Sequence, residues 1–206
     1  MTVAPLIAMK SSQVKSFDAV GRELDRRAHT YANDVDQSGR HIGYRCRAED
    51  ERPVPLEKAV ERRMGELKTK RKVRENQVRA MGFIVSSNDA LDEKTAREFL
   101  DRSINWFGAR YGYENLLAAQ IHLDEETPHA HFGFVPLRDG KLSWKGFFPD
   151  KAALGAMQDR FYGRVGALYG LSRGEKRLEG QPARRHKSVA EYKAESRRVQ
   201  AELGWR

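Results

Sequence analysis

Cysteine is almost missing: Cys46 stands alone among 206 residues, which excludes an internal disulfide and any cysteine-rich zinc site. No apolar run approaches the roughly 20 residues needed to cross a bilayer, and the opening Met1-Thr2-Val3-Ala4-Pro5 lacks the basic-then-apolar order of a secretion signal. A cytoplasmic protein with no membrane segment in this stretch is expected. Internal repeats are absent too, so a solenoid is not. What remains is polar, with 39% hydrophobic and 33% charged residues, yet apolar enough to build a core. The length suits one compact unit followed by a tail.

Acidic residues are the scarcer sign of charge. Lys and Arg number 38 against 29 Asp and Glu, a formal charge of +9, which suits a polyanion such as nucleic acid. The charges are gathered. Pro53 and Pro55 introduce a helix predicted over 56–79; it carries Arg62, Arg63, Lys68, Lys70, Arg71, Lys72 and Arg74 over a thin apolar stripe. That composition suits a phosphate-contacting surface, although Glu61, Glu66 and Glu75 can pair with the same cations. A second cluster, with Arg184, Arg185 and Lys187, lies in a Gly- and Arg-rich link over 172–187. Arg22 and Arg26 add charge to an amphipathic helix opened by Ser16-Phe17-Asp18.

The remaining punctuation gives an α+β order. Leu6–Met9 is a short apolar run of strand type, 28–40 a polar loop, and His41–Tyr44 a second strand. Met81–Val85 reads as a buried strand and Asp92–Arg110 as a helix turning Phe99, Ile104, Trp106 and Phe107 inward. Two strands, 116–123 and 130–137, flank a polar connector and lead through Asp139-Gly140 into a small meander. Asp150–Tyr169 follows as a helix with Leu154, Met157, Phe161, Val165 and Leu168 at core spacing. Trp144, Phe147 and Phe148 are expected in the core, with base stacking as the alternative. A nuclease-type unit over 1–171 and a basic linker with a last polar helix over 172–206 follow from this pass. That helix runs to Trp205-Arg206, as in the front part of a longer protein.

The chemistry concentrates in His122-Leu123-Asp124-Glu125-Glu126-Thr127-Pro128-His129-Ala130-His131. Strand side chains alternate, so His129 and His131 share a face. If the two strands pair antiparallel across the connector, His122 reaches the same point. These are three of only six histidines, gathered beside carboxylates. Three imidazoles leave coordination positions open, as a catalytic metal needs. Imidazoles accept several divalent ions; manganese or magnesium suits phosphodiester chemistry, and zinc or nickel can occupy such a site in a crystal. Asp124, Glu125 and Glu126 can orient a ring, ligate, or act as a general base, Glu126 being the one best read as a solvated turn residue.

The pattern His-x-Asp-Glu-x-x-Pro-His-x-His at 122–131 resembles the third motif of the MobV-type (Mob/Pre) plasmid mobilisation relaxases, which belong to the HUH endonucleases. The likeness extends to His41-x-x-Tyr44, to Val135-Pro136-Leu137 with Gly140-Lys141-Leu142-Ser143, and to 186–193. It implies a central antiparallel sheet flanked by helices, a manganese or magnesium ion on the three histidines, and metal-dependent nicking and joining of one DNA strand at an origin of transfer through a covalent 5′-phosphate intermediate. It also implies single-stranded origin DNA with a hairpin or duplex arm as substrate, other transfer proteins as partners, and C-terminal extensions through which such proteins dimerise.

One position departs. The family's nucleophile is a histidine or tyrosine on the helix after the first strand, where this chain reads Val20-Gly21-Arg22-Glu23-Leu24, and arginine stays protonated. His29 or Tyr31 just beyond that helix, Tyr44 on the next strand, and Glu23 through an acyl phosphate are the candidates. Two readings of other classes stand beside the relaxase: an origin-binding or autoregulatory protein with a vestigial metal site, and a zinc hydrolase of a small substrate, which the basic surface disfavours.

Overall fold

The structure, a computed structural model, describes residues 2–10, 41–44, 54–69, 72–74, 77–87, 91–125, 127–173 and 194, with backbone alone for 2–10, His41 and Tyr44. The helix expected after Ser16, the loop over 28–40, and the basic link with its last helix lie outside these residues, save for Ser172, Arg173 and helical Ala194.

A five-stranded sheet organises the chain, in the order β1-β3-β5-β4-β2. The strands are β1 Thr2–Lys10, β2 His41–Tyr44, β3 Val78–Ser86, β4 Leu116–His122 and β5 His129–Phe134, and every neighbouring pair is antiparallel. Residues directly opposite each other share a face. One face therefore holds Phe83, Phe132 and Ala119, in register across β3, β5 and β4. The other holds Ser86, His129, His122 and His41 in one row and Ile84, His131, Gln120 and Gly43 in the next.

The apolar face is covered by the helix over Glu93–Tyr111, against whose Phe99, Trp106 and Phe107 the later helix packs Phe161. To follow the chain, α1 is Leu56–Met64, α2 Glu93–Tyr111, α3 Trp144–Phe147 and α4 Lys151–Arg164, and β6 Leu137–Arg138 pairs with β7 Lys141–Leu142 in a separate hairpin. Asp92 caps α2, accepting from the Thr95 backbone N–H at 3.1 Å and its hydroxyl at 2.6 Å, and Gly112, at φ 98°, ends it. Between them Ala96, Phe99, Leu100, Ser103, Ile104, Phe107 and Tyr111 recur at helical spacing and are buried. Phe107 lies 4.9 Å from Phe83, 4.6 Å from Phe132 and 5.7 Å from Phe161 of α4, ring to ring. Each fully buried ring contributes about 1.5–3 kcal/mol of transfer free energy.

At one end of the histidine face, α1 lies flat on the sheet. Leu56, Ala59 and Val60 pack against Ala80, Leu117, Ala118, Val135 and Leu137. The close approach is possible because β5 carries Gly133 there: a Cβ would stand 2.6 Å from Leu56 Cδ1. A single sheet face is thus divided, one end closed by α1 and the other left to the histidines.

Three expectations are corrected. The helix predicted over 56–79 stops at Met64, and Val78 and Arg79 already belong to β3; beyond Leu67 the sequence offers no continuing apolar stripe, and the Lys68 N–H instead bonds the Gly140 carbonyl at 3.1 Å. The helix predicted over 150–169 ends at Arg164 and gives way to a 3-10 turn at Gly166–Tyr169, which leaves Leu168 65% exposed rather than in the core. The strand expected over 130–137 divides into β5 and β6 at Val135-Pro136. As expected, Phe148 is buried and Trp144 and Phe147 pack against the main core.

Candidate metal centre and nucleic-acid interface

β4 and β5 bring the histidines together by register alone. His122, the last residue of β4, sits directly opposite His129, the first of β5, and His131 lies opposite Gln120. His122 is 1% exposed, while His129 and His131 are partly open to solvent. Their ring centroids stand 5.1 Å apart for His122 and His129, 5.1 Å for His122 and His131, and 4.8 Å for His129 and His131. One nitrogen from each ring lies within 4.8 Å of the other two.

The hydrogen bonds select the tautomer that a ligand needs. His129 Nδ1 is 2.8 Å from the Thr127 carbonyl; a carbonyl only accepts, so Nδ1 carries a proton, and in the neutral ring that a ligand requires the lone pair is on Nε2. That Nε2 lies 3.3 Å from His122 Nδ1. Two nitrogens bound about 2.1 Å from one ion stand roughly 3.0–3.4 Å apart, so the spacing fits a shared cation. Thr127-Pro128 therefore acts through the backbone, fixing the ring that opens β5.

Carboxylates flank the imidazoles. Glu125 Oε1 is 3.9 Å from His129 Nε2, Asp124 is buried, and both group with His122 as a second set of possible ligands. Glu126 lies outside the described residues. Gln120, buried beside His131, escaped sequence reasoning; the one polar side chain before His122 in the apolar run Leu-Leu-Ala-Ala-Gln-Ile was the available signal.

Of the nucleophile candidates, Glu23, His29 and Tyr31 lie outside the described residues. Tyr44 pairs with Ala119 and so takes its register position on the Phe132 face of the sheet, away from the histidines. That position speaks against attack on a phosphate held at the imidazoles.

The predicted DNA contacts divide. Lys68, Lys72 and Arg74 are exposed and Arg62 half-buried, whereas Arg22, Arg26, Lys70, Arg71, Arg184, Arg185 and Lys187 lie outside the described residues. Arg63 is a correction. It is 7% exposed; Nε and Nη2 donate to Asn115 Oδ1 at 3.1 and 2.8 Å and Nη2 also to the Leu137 carbonyl at 3.3 Å, with Glu66 paired to Nη1. Those bonds take four of its five donors inside the protein, so Arg63 pins α1 to the 3-10 turn before β4 and to β6.

Comparison with known proteins agrees with this geometry. The profile of the family described as Mob_Pre, plasmid recombination enzyme, matches residues 4–194. The chain belongs to the Mob_Pre family. Among its relatives, a plasmid recombination enzyme type 3 from Staphylococcus aureus is 33% identical over 90% of this chain and 46% of its own length. A plasmid recombination enzyme from Streptococcus agalactiae is 35% identical over 90% of this chain and 38% of its own. The chain thus spans less than half the length of these Mob_Pre relatives. Its fold is that of a solved Mob_Pre domain: a Mn-bound crystal structure of the MobM relaxase domain, bound to plasmid pMV158 oriT DNA, superposes with a TM-score of 0.76 at 29% identity, covering 94% of this chain and 97% of that one. A second Mn-bound structure of that domain gives 0.73 at 29% identity, over 93% of this chain and 98% of that one. Among the described residues, no helix is long and apolar enough to cross a membrane.

Proposed function

We propose that this chain is a relaxase, which nicks and rejoins one strand of DNA at a plasmid origin of transfer in a metal-dependent reaction. The convergence of His122, His129 and His131 on one sheet face beyond α1 carries the reading. Manganese in the MobM relaxase domain crystals supports manganese, or magnesium, as the ion these rings would hold. Such an ion supplies Lewis acidity at a phosphate oxygen. The chain's own contributions are distinct from it: Thr127 fixes the His129 tautomer, Glu125 stands near the same ring as a further possible ligand, and the partly open His129 and His131 leave the approach for a DNA backbone. Arg22, Arg26, Arg62, Lys68, Lys70, Arg71, Lys72, Arg74, Arg184, Arg185 and Lys187 would hold the strand through its phosphates.

In the nicking step a side-chain nucleophile loses its proton and bonds phosphorus, while the P–O3′ bond breaks and the 3′ oxygen is released as a hydroxyl. The strand remains joined to the protein by its 5′ phosphate until the 3′ hydroxyl reverses the step. His29 and Tyr31 lead as nucleophiles, then Glu23, with Tyr44 last. Residues 1–171 would form the catalytic unit and 172–206 a basic linker and helix. Cytoplasmic location, other transfer proteins as partners, and dimerisation through regions beyond this chain belong to the same proposal.

A supercoiled plasmid bearing the cognate origin should relax with Mn2+ and not with chelator, and His129→Ala should abolish relaxation while DNA binding stays measurable. Relaxation by His129→Ala at the wild-type rate refutes the assignment. Digestion of the covalent adduct and mass spectrometry then name the nucleophile. Arg22 or Glu23 at the family's nucleophile position, in place of a histidine or tyrosine, favours a second reading, an origin-binding or autoregulatory protein with a vestigial metal site; binding without any adduct would establish it.

A further inference from the structure

A pocket of about 220 Å³ opens between the segment that joins α1 to β3 and the β6–β7 hairpin. It lies away from the histidines. His129 begins β5, whereas the hairpin follows the far end of that strand; at about 3.3 Å per residue, the two are on the order of 20 Å apart. No step at the metal centre uses it.

Its walls are of two kinds. Leu67, Val73 and Leu142 give an aliphatic floor, and Lys72, Arg74 and Lys141 bring three cations to it, all exposed. Among the described residues, no carboxylate lines it. Thr69 and Gln77 complete the lining with a hydroxyl and an amide. The two walls are tied together: Gln77 Nε2 donates to the Leu142 carbonyl at 3.4 Å, and the Lys68 N–H to the Gly140 carbonyl at 3.1 Å. Gly140, at φ 73°, lies under the Lys68 stem, so close that a Cβ there would meet it at 2.5 Å. The pocket is thus formed before anything enters, which lowers the entropic cost of binding.

Each feature narrows the ligand. Three cations without a lining carboxylate select an anion, and a bare phosphate has no use for an aliphatic floor. The volume is below that of sites for drug-sized ligands, and suits a single ring system with a charged group at its mouth. A nucleotide unstacked from its strand has this shape and charge, and the hydroxyl and amide can meet the edge of its base.

We propose that this pocket is a nucleotide subsite, in which one unstacked base of the bound strand rests on Leu67, Val73 and Leu142 while its phosphate meets Lys72, Arg74 and Lys141. The proposal rests on the DNA-processing reading. It adds a reading position remote from the scissile phosphate: on the order of 20 Å corresponds to about six nucleotides at 3.4 Å of rise.

The test is methyl NMR on the whole chain with three probes: a 20-nucleotide thymidine oligomer, an oligomer of equal charge built from base-less sugars, and poly-glutamate. The thymidine oligomer should shift the Leu67, Val73 and Leu142 methyl resonances. It should bind at least about 5-fold more tightly than the base-less oligomer, which forfeits burial of any base on that aliphatic floor. Lys141→Glu, a change at an exposed site, should weaken thymidine binding and flatten its dependence on log salt by about 0.7. Equal affinity and equal methyl shifts from the base-less oligomer overturn the proposal, as do equal shifts from poly-glutamate. Binding of the thymidine oligomer with those methyls unmoved overturns the subsite and leaves the DNA reading intact, whereas failure of both oligomers to bind removes the DNA reading itself.

Discussion

Replacing Arg63 by methionine separates a buried pin from a phosphate contact. The substitution keeps most of the aliphatic stem and removes the guanidinium, which bonds Asn115 Oδ1 at 3.1 and 2.8 Å and the Leu137 carbonyl at 3.3 Å. Asn115 is itself buried and already spends its amide on the Tyr111 carbonyl at 2.8 Å, so its oxygen would be left without a donor. Hydrogen bonds to charged groups are each worth about 1.5–3 kcal/mol, and an orphaned buried acceptor costs about 1–3 kcal/mol. These terms overlap, and a net loss of about 3 kcal/mol is expected, the low end of the range for breaking a buried charged pair. For a chain of this size that is about 6–12 °C in Tm, read by circular dichroism. The DNA-binding salt slope should stay at its wild-type value, because no phosphate contact is lost. A Tm within about 2 °C of wild type, together with a slope flattened by nearly one unit, would show the reasoning wrong. Adding Asn115→Leu should recover part of the loss, since removing both polar partners costs less than removing one.

Saturating Mn2+, at a hundredfold excess over its Kd, should stabilise the protein by about 2.7 kcal/mol, a rise of about 5–11 °C in Tm; His122→Ala should abolish that rise, and a rise of wild-type size in the variant would dismiss the three-histidine site. Gly133→Val drives a branched side chain into Leu56, whose Cδ1 stands 2.6 Å from where a Cβ would lie, and should cost about 1–3 kcal/mol; Leu56→Ala should restore part of it in a double-mutant cycle, and strict additivity of the two changes contradicts the contact. Burial raises the Tyr111 phenol above its ordinary value near 10, against opposing effects of Arg110 and Arg160. Stability from keeping this phenol neutral is therefore complete below pH 10 and is lost as pH rises through the folded value. Tyr111→Phe should then lose less stability than wild type between pH 9 and 11 in urea titrations; equal losses count against it.

The clustering of the three histidines was legible in the sequence because it depends on two short-range rules. Alternation put His129 and His131 on one face, and a connector of only six residues, 123–128, left little freedom in how β4 meets β5. The long basic helix was misread for the opposite reason. Lys and Arg are good helix formers, so local preference continued the helix past Met64, whereas a backbone bond from Lys68 to Gly140 and the pairing of β3 decided the matter from far along the chain. Arg63 was likewise unreadable: its partner Asn115 lies 52 positions away, and among surface-type arginines nothing local distinguished it. Leu168 had the right spacing for a core helix, but the turn at Gly166 moved it out of phase.

The two faces of the sheet are mechanically one object. Opposite each other across β3 and β5 stand Phe83 and Phe132, stacked at 5.3 Å, and Ala119 continues their row on β4. Sliding β4 against β5 by one residue would send the buried Ile121 to the histidine face and His122 to the aromatic one. Such a slip exposes apolar surface and buries an imidazole without a partner, costs that both act against it. The aromatic cluster beneath α2 therefore does more than stabilise the fold: it sets which residue of β4 lies opposite His129. The precision of the histidine cluster is inherited from the packing of the other face, and substitutions there should loosen any metal it holds without touching the three rings.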